Sequence, residues 1–207
     1  PMNFSKNLRS LLLIGLIVSV GFSSCNSRSG KPKVLVFSKT AGFHHESIPQ
    51  GIEALTKLGA ENDFEVDTTT QGTSFNEENL AQYAAVIFLS TTGDVLDPNQ
   101  EVEFERYIQA GGGFVGIHAA ADTEYDWSWY NELVGGYFAD LPGINDPHPN
   151  VQAGQVVVVD ADNAATSFLP SPWERTDEWY SFQKMNPEVN VLLTLDEASY
   201  QGGLDMG

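Results

Sequence analysis

Cysteine is nearly missing from this chain: there is one, Cys25, in 207 residues. A lone cysteine has nothing to pair with, so internal disulfides and multi-cysteine metal sites are excluded. Positive charge is scarce too. Ten Lys and Arg stand against 28 Asp and Glu, a formal charge of −18, and such a surface repels nucleic acid and anionic membrane rather than binding them through a basic patch. Long polar tracts are also lacking. With 42% hydrophobic and 11% aromatic residues, the chain has material for one domain with a substantial core but is short for two. No internal repeat divides it.

The longest apolar run lies near the start. Met2 to Arg9 carries Lys6 and Arg9 and no acid, Leu11 to Val20 is almost wholly apolar, and Gly21-Phe22-Ser23-Ser24-Cys25 closes the segment. A positive start, a short apolar middle and small residues before a cut site make a secretory signal. The run falls short of the roughly 20 apolar residues that span a bilayer. The segment resembles a bacterial lipobox, with Phe22 where Leu is usual. That resemblance implies a signal over residues 1–24, lipidation of Cys25, a tether over 25–32 and an address in the bacterial cell envelope, periplasmic or at the cell surface. Contact with the membrane is then through the lipid alone. A cleaved signal that happens to contain a cysteine is the competing reading. At the other end, Gly203-Leu204-Asp205-Met206-Gly207 offers no closing helix, so the domain over 33–207 is expected to be truncated at its C-terminus.

Between these ends the pattern predicts an α/β domain. Lys33–Ser38 is a continuous apolar run, as expected for a parallel strand buried on both faces. Ser47, Pro49 and Gln50 predict a capped helix start, and the helix should stop at Gly59. Phe64–Thr68 reads as a second strand, Ala84–Leu89 as a third, Pro98–Ala110 as a helix ended by Gly111-Gly112-Gly113, and Phe114–Ile117 as a fourth, buried strand. Gln155–Asp160 and Val189–Leu195 are later strands. The alternation predicts a doubly wound, mainly parallel sheet of the flavodoxin-like or class I glutamine-amidotransferase-like kind, with right-handed crossovers. Ligands bind such sheets at the carboxyl ends of the strands.

Histidines mark two of those ends. His118 follows the fourth strand in Gly116-Ile117-His118-Ala119-Ala120, the outline of a nucleophile elbow with small neighbours. An imidazole there can act as base, ligand or hydrogen-bond partner; a histidine that merely packs at a strand end is the alternative. His44 and His45 lie in the loop after the first strand, where adjacent side chains diverge and only one should face the pocket. His148 sits between Pro147 and Pro149. Asp177-Glu178-Trp179-Tyr180, with Trp173 upstream, pairs acids with aromatics, a combination that binds sugars but also packs interfaces. Trp127-Ser128-Trp129-Tyr130 is expected to pack a helix or lid.

In order, the stretches Gly42–Ile48, Gly111–Ala120, His148-Pro149 and Asp177–Tyr180 resemble the ThuA family, named for trehalose utilisation. The resemblance covers nearly all of the chain beyond Lys33. It implies an amidotransferase-like fold in which His118 replaces the catalytic cysteine, and a sugar or oxidised sugar derivative as the partner. His44 departs from the family, where Arg is usual, and a His-Pro motif with a final strand is expected beyond Gly207. The catalytic candidates are His118, His45, Glu178 and Asp177; Phe43, His44, His148, Trp179 and Tyr180 are candidates for binding substrate. Imidazole and carboxylate from separate loops can hold Zn²⁺ with one position open, with His45, His118, His148 and Glu178 as candidate ligands, although no His-x-x-x-His spacing marks a site. Two functions compete: a carbohydrate-processing enzyme, and a glycan-binding lipoprotein presenting Trp173, Trp179 and Tyr180. A cysteine amidotransferase is excluded, because the elbow holds an imidazole and not a thiol.

Overall fold

The computed structural model describes residues 30–139 and 149–206; the expected signal, Cys25 and His148 lie outside the described residues. Four short strands, β1 (Lys33–Phe37), β2 (Glu65–Thr69), β3 (Ala85–Leu89) and β4 (Gly113–Ile117), pair in parallel in the order β2-β1-β3-β4. The strands are only five residues long, and their alternation sorts the core into two layers. Leu35 and Phe37 of β1 with Val86 and Phe88 of β3 face one cluster, while Val36, Ile87 and Leu89 face the other. Helix α1 (Ile48–Glu61) covers the second face through Ile48, Ile52 and Leu55. The first face packs against α2 (Glu77–Leu80), α3 (Pro98–Gln109) and α4 (Ser128–Val134). Helices on both faces of a parallel sheet make the doubly wound α/β arrangement.

The aromatic content is concentrated in the first layer. Phe37, Phe75, Phe88 and Phe104 are all essentially buried, with Phe37–Phe75 centroids 4.7 Å apart edge-on and Phe88–Phe104 stacked at 5.3 Å. Such pairs contribute about 0.5–1.5 kcal/mol each beyond their buried area. Trp127 and Trp129 lie against this layer and Tyr130 is wholly enclosed, so the Trp-Ser-Trp-Tyr segment packs a helix as expected.

Several local expectations need correction. Helix α1 does not stop at Gly59 but continues to Glu61. A Cβ at Gly59 would meet the Phe64 carbonyl oxygen at 2.7 Å and a Val66 methyl at 2.9 Å, so the glycine admits β2 against the helix rather than ending it. Ser47 precedes the helix without a side-chain cap, whereas Asp97 and Gln100 form a full capping box at α3. Strand β4 is not buried on both faces: it is the edge strand among the described residues, and Val115 is 46% exposed. Strand β3 lies between β1 and β4.

The second half of the chain is antiparallel. Strand β5 (Tyr137–Phe138) pairs with β8 (Phe182–Gln183), and β6 (Gln152–Val158) lies between β7 (Trp173–Asp177) and β9 (Leu193–Asp196). The strand expected over Gln155–Asp160 thus starts earlier, and the one expected from Val189 begins only at Leu193.

Candidate functional site

The parallel sheet positions the site through loops at its carboxyl edge, and these loops are fastened to one another in strand order. Thr40 after β1 bridges Thr92 after β3, and Gly93 bridges Thr123 after β4. Thr92 Oγ1 donates to the Phe43 carbonyl at 2.8 Å and accepts from the Gly42 amide at 3.2 Å. Thr91 and Thr123 hydroxyls meet at 2.9 Å. The buried carboxylate of Glu124 accepts from the amides of Val95 and Leu96 at 2.9 and 2.8 Å. Burial pushes the Glu124 carboxyl up to about 7; the two amides oppose this, and Asp94 and Glu101 add to it. Sequence reasoning missed this framework. Its one visible signal was the hydroxyl run Ser90-Thr91-Thr92 straight after an apolar strand.

Two of the three histidines described enter one cluster. His118 has φ of 54°, left-handed backbone that a non-glycine residue adopts only where its surroundings compel it. The chain turns there from β4 into a 3₁₀ segment, His118–Asp122. At Gly116 a Cβ would sit 3.2 Å from the Ala120 Cβ, so the small neighbours are needed for the turn to close. His45 reaches the same point from the loop after β1, its ring 4.6 Å from that of His118 and nearly perpendicular to it. From beyond β7, Glu178 Oε2 approaches His118 Nε2 to 3.2 Å. The Tyr180 hydroxyl completes the group, 3.1 Å from His118 Nε2 and 3.4 Å from His45 Nε2.

The electrostatics follow from partial burial. Desolvation lowers the His45 pKa, reinforced by the neighbouring His118 and His44 and opposed by Glu178, so this imidazole is neutral at neutral pH. Its Nδ1 is enclosed with no hydrogen-bond partner among the described residues; packing, including the edge of Phe43 at 4.9 Å, holds the ring. Burial, with the charges of Glu178 and Asp122, raises the Tyr180 pKa well above the usual phenol range, and the hydroxyl keeps its proton. Tyr180 also lies against His118, centroids 4.5 Å apart, and against Phe138 at the same distance. Among the described residues, His45, His118 and Glu178 are the group able to hold a metal ion, their ligand atoms all within 4.8 Å of one another.

The remaining candidates lie elsewhere. His44 turns outward, its Nδ1 3.2 Å from the Thr40 hydroxyl, so the adjacent histidines do diverge. Asp177 is exposed, paired with Arg175 at 3.6 Å and accepting from the Glu178 amide; it does not join the cluster. Trp179 covers Gly154 and donates from Nε1 to the Gln152 carbonyl at 3.0 Å, and Trp173 lies under the Arg175 guanidinium at 4.6 Å. Both indoles are therefore used within the antiparallel sheet. Phe43 does stand open at the rim, 69% exposed.

A doubly wound α/β domain with a strained histidine at the turn after a sheet strand is the class these features define. The chain belongs to the ThuA family, described as trehalose utilisation, whose model matches residues 33–207. It is similar in structure to a ThuA-like protein from Bacteroides uniformis, at 26% identity and a TM-score of 0.68, covering 89% of this chain and 76% of that one. A ThuA-like protein from Parabacteroides merdae shares the fold, with 20% identity, a TM-score of 0.65 and coverage of 84% and 72%. No curated protein matches the chain.

Proposed function

We propose that the chain acts on a carbohydrate or an oxidised sugar derivative at the point where His45, His118, Glu178 and Tyr180 converge. The family's description, trehalose utilisation, supports a sugar-related role. The observation that carries the reading is the contact of one nitrogen, His118 Nε2, with both a carboxylate at 3.2 Å and a phenol at 3.1 Å. A sugar oxygen brought there meets a group that takes a proton and one that gives it, the pair of capacities that acid–base chemistry on a hydroxyl, or beside a ketone, requires. The exposed face of Phe43 suits the apolar side of a sugar ring.

A purely glycan-binding role gains less support, because the indoles it needs are occupied in the antiparallel sheet. The test is incubation of the purified chain with trehalose and with disaccharides carrying one ring hydroxyl oxidised to the ketone, products being followed by NMR. Conversion that disappears in His118→Ala is the expected result; binding without conversion of any of these sugars overturns the enzyme reading. We also propose that Cys25 carries a lipid in the bacterial envelope. Expressed with its leader, the chain should enter the detergent phase on phase separation, and Cys25→Ser should abolish this; equal partition of the two removes the anchor.

A further inference from the structure

The three ligand-capable atoms of the cluster share a problem that one charge would solve. His45, His118 and Glu178 each offer one ligand atom, an imidazole nitrogen or a carboxylate oxygen, and these atoms lie within 4.8 Å of one another. Each carries a lone pair unless protonated. Glu178 Oε2 stands 3.2 Å from His118 Nε2. Lone pairs aimed at a common point repel unless a proton or a cation lies between them.

The spacing of His118 and Glu178 suits a cation. Ligand bonds of about 2.0–2.2 Å in a tetrahedral array put ligand atoms roughly 3.3–3.6 Å apart, and the His118 Nε2–Glu178 Oε2 separation is 3.2 Å. The Tyr180 hydroxyl stands beside the group, 3.1 Å from His118 Nε2 and 3.4 Å from His45 Nε2. The ligands also come from three separate segments, the loop after β1, the end of β4 and the chain beyond β7. A cation there would tie the antiparallel half to the parallel sheet.

We propose that His45 Nε2, His118 Nε2 and Glu178 Oε2 form a three-ligand site for a first-row divalent cation, with the Tyr180 hydroxyl facing the open position. Two imidazoles and a carboxylate are a donor set suited to zinc and its neighbours rather than to calcium or magnesium. An oxygen ligand entering the open position would be polarised by the ion. Tyr180 and the second carboxylate oxygen of Glu178 are then left to exchange protons with it. The site uses the same side chains as the sugar reading but does not depend on it.

The experiment is titration of the chelator-treated, purified chain with Zn²⁺ by calorimetry, and with Co²⁺ by visible absorption, no sugar being present. One ion per chain is expected, with intense tetrahedral Co²⁺ bands. His118→Ala and the conservative Glu178→Gln should each weaken Zn²⁺ binding by roughly 100-fold or more. Asp177→Asn, an exposed acid outside the cluster, should leave it unchanged. Circular dichroism confirms that each variant is folded. Absence of saturable binding overturns the proposal, as does weak binding that Asp177→Asn lowers as much as Glu178→Gln, since that pattern belongs to a diffuse acidic surface. A chain that binds metal but converts no sugar sinks the sugar reading alone, and an active chain without the site sinks this one alone.

Discussion

The two halves of the molecule are held together by different means. In the first part, up to Ala139, which holds the parallel sheet and the short strand β5, Phe37, Phe88, Phe104, Tyr130 and Tyr137 are essentially sealed from solvent. In the second part, from Pro149 on, Val156 is the one buried hydrophobic side chain among the described residues, while Val159 and Phe168 are 56% and 75% exposed. Yet Glu178 and Tyr180, half of the candidate site, come from this thinly cored half. A rigid sheet presents the histidines, and a more lightly anchored segment brings the carboxylate and phenol to them. Site elements drawn from the less stable part of a fold are those free to move when ligand binds.

The largest effect separates the halves directly. Phe104→Ala removes a ring enclosed on every side and should cost about 3–5 kcal/mol. Val159→Ala removes a side chain already more than half in water and should change stability by no more than about 0.5 kcal/mol. Urea denaturation of both variants checks this, and similar losses would mean that the antiparallel half has a core of its own.

A smaller, pH-dependent effect concerns the loop framework that joins β3 to β4. Glu124 is held up at about 7 by burial. A carboxyl raised in the folded state binds its proton more tightly there than when unfolded. Its contribution is therefore complete below the unfolded pKa, near 4.5, and is lost as pH rises through about 7. From pH 5 to pH 8 the wild type should lose on the order of 2 kcal/mol from this group. Glu124→Gln keeps an oxygen for the Val95 and Leu96 amides and should flatten that decline. An unchanged slope in the variant would assign the pH dependence to other groups.

What was legible in the sequence follows the same division. The runs at Lys33 and Ala84 could be read because strands buried on both faces carry apolar side chains continuously. His118 could be read because a strand ending in Gly-Ile-His-Ala-Ala has one conspicuous polar group at its edge. The exposure of β4 could not, since five apolar or small residues look alike in a central or an edge strand. Glu124 was hidden for another reason. Between Asp122 and Asp126 it resembles a solvated loop acid, and only packing brings two amides onto it. Trp179 shows the opposite failure: an indole beside acids suggests a sugar platform, but its place over Gly154 depends on a strand pairing that no local pattern records. Residue types and spacing revealed the candidates that sit at strand ends, while long-range contacts decided which of them meet.

A small change in stability is also expected at His118 itself, and it is the sharpest test of whether the residue belongs to a site or to the scaffold. Its φ of 54° is a conformation that costs a non-glycine residue on the order of 1 kcal/mol. Glycine adopts it freely, while adding roughly 0.5–1 kcal/mol of chain entropy to the unfolded state. His118→Gly also gives up the contact with Glu178, which is partly open to water and worth little, and the ring contacts with Tyr180 and His45. These terms nearly cancel, so the melting temperature should stay within a few degrees of wild type. Sugar conversion and metal binding, in contrast, should both disappear. A loss of more than about 2 kcal/mol would require the imidazole to be a packed part of the structure. Such a loss with conversion preserved would make the turn after β4 a structural corner and move the candidate site away from it.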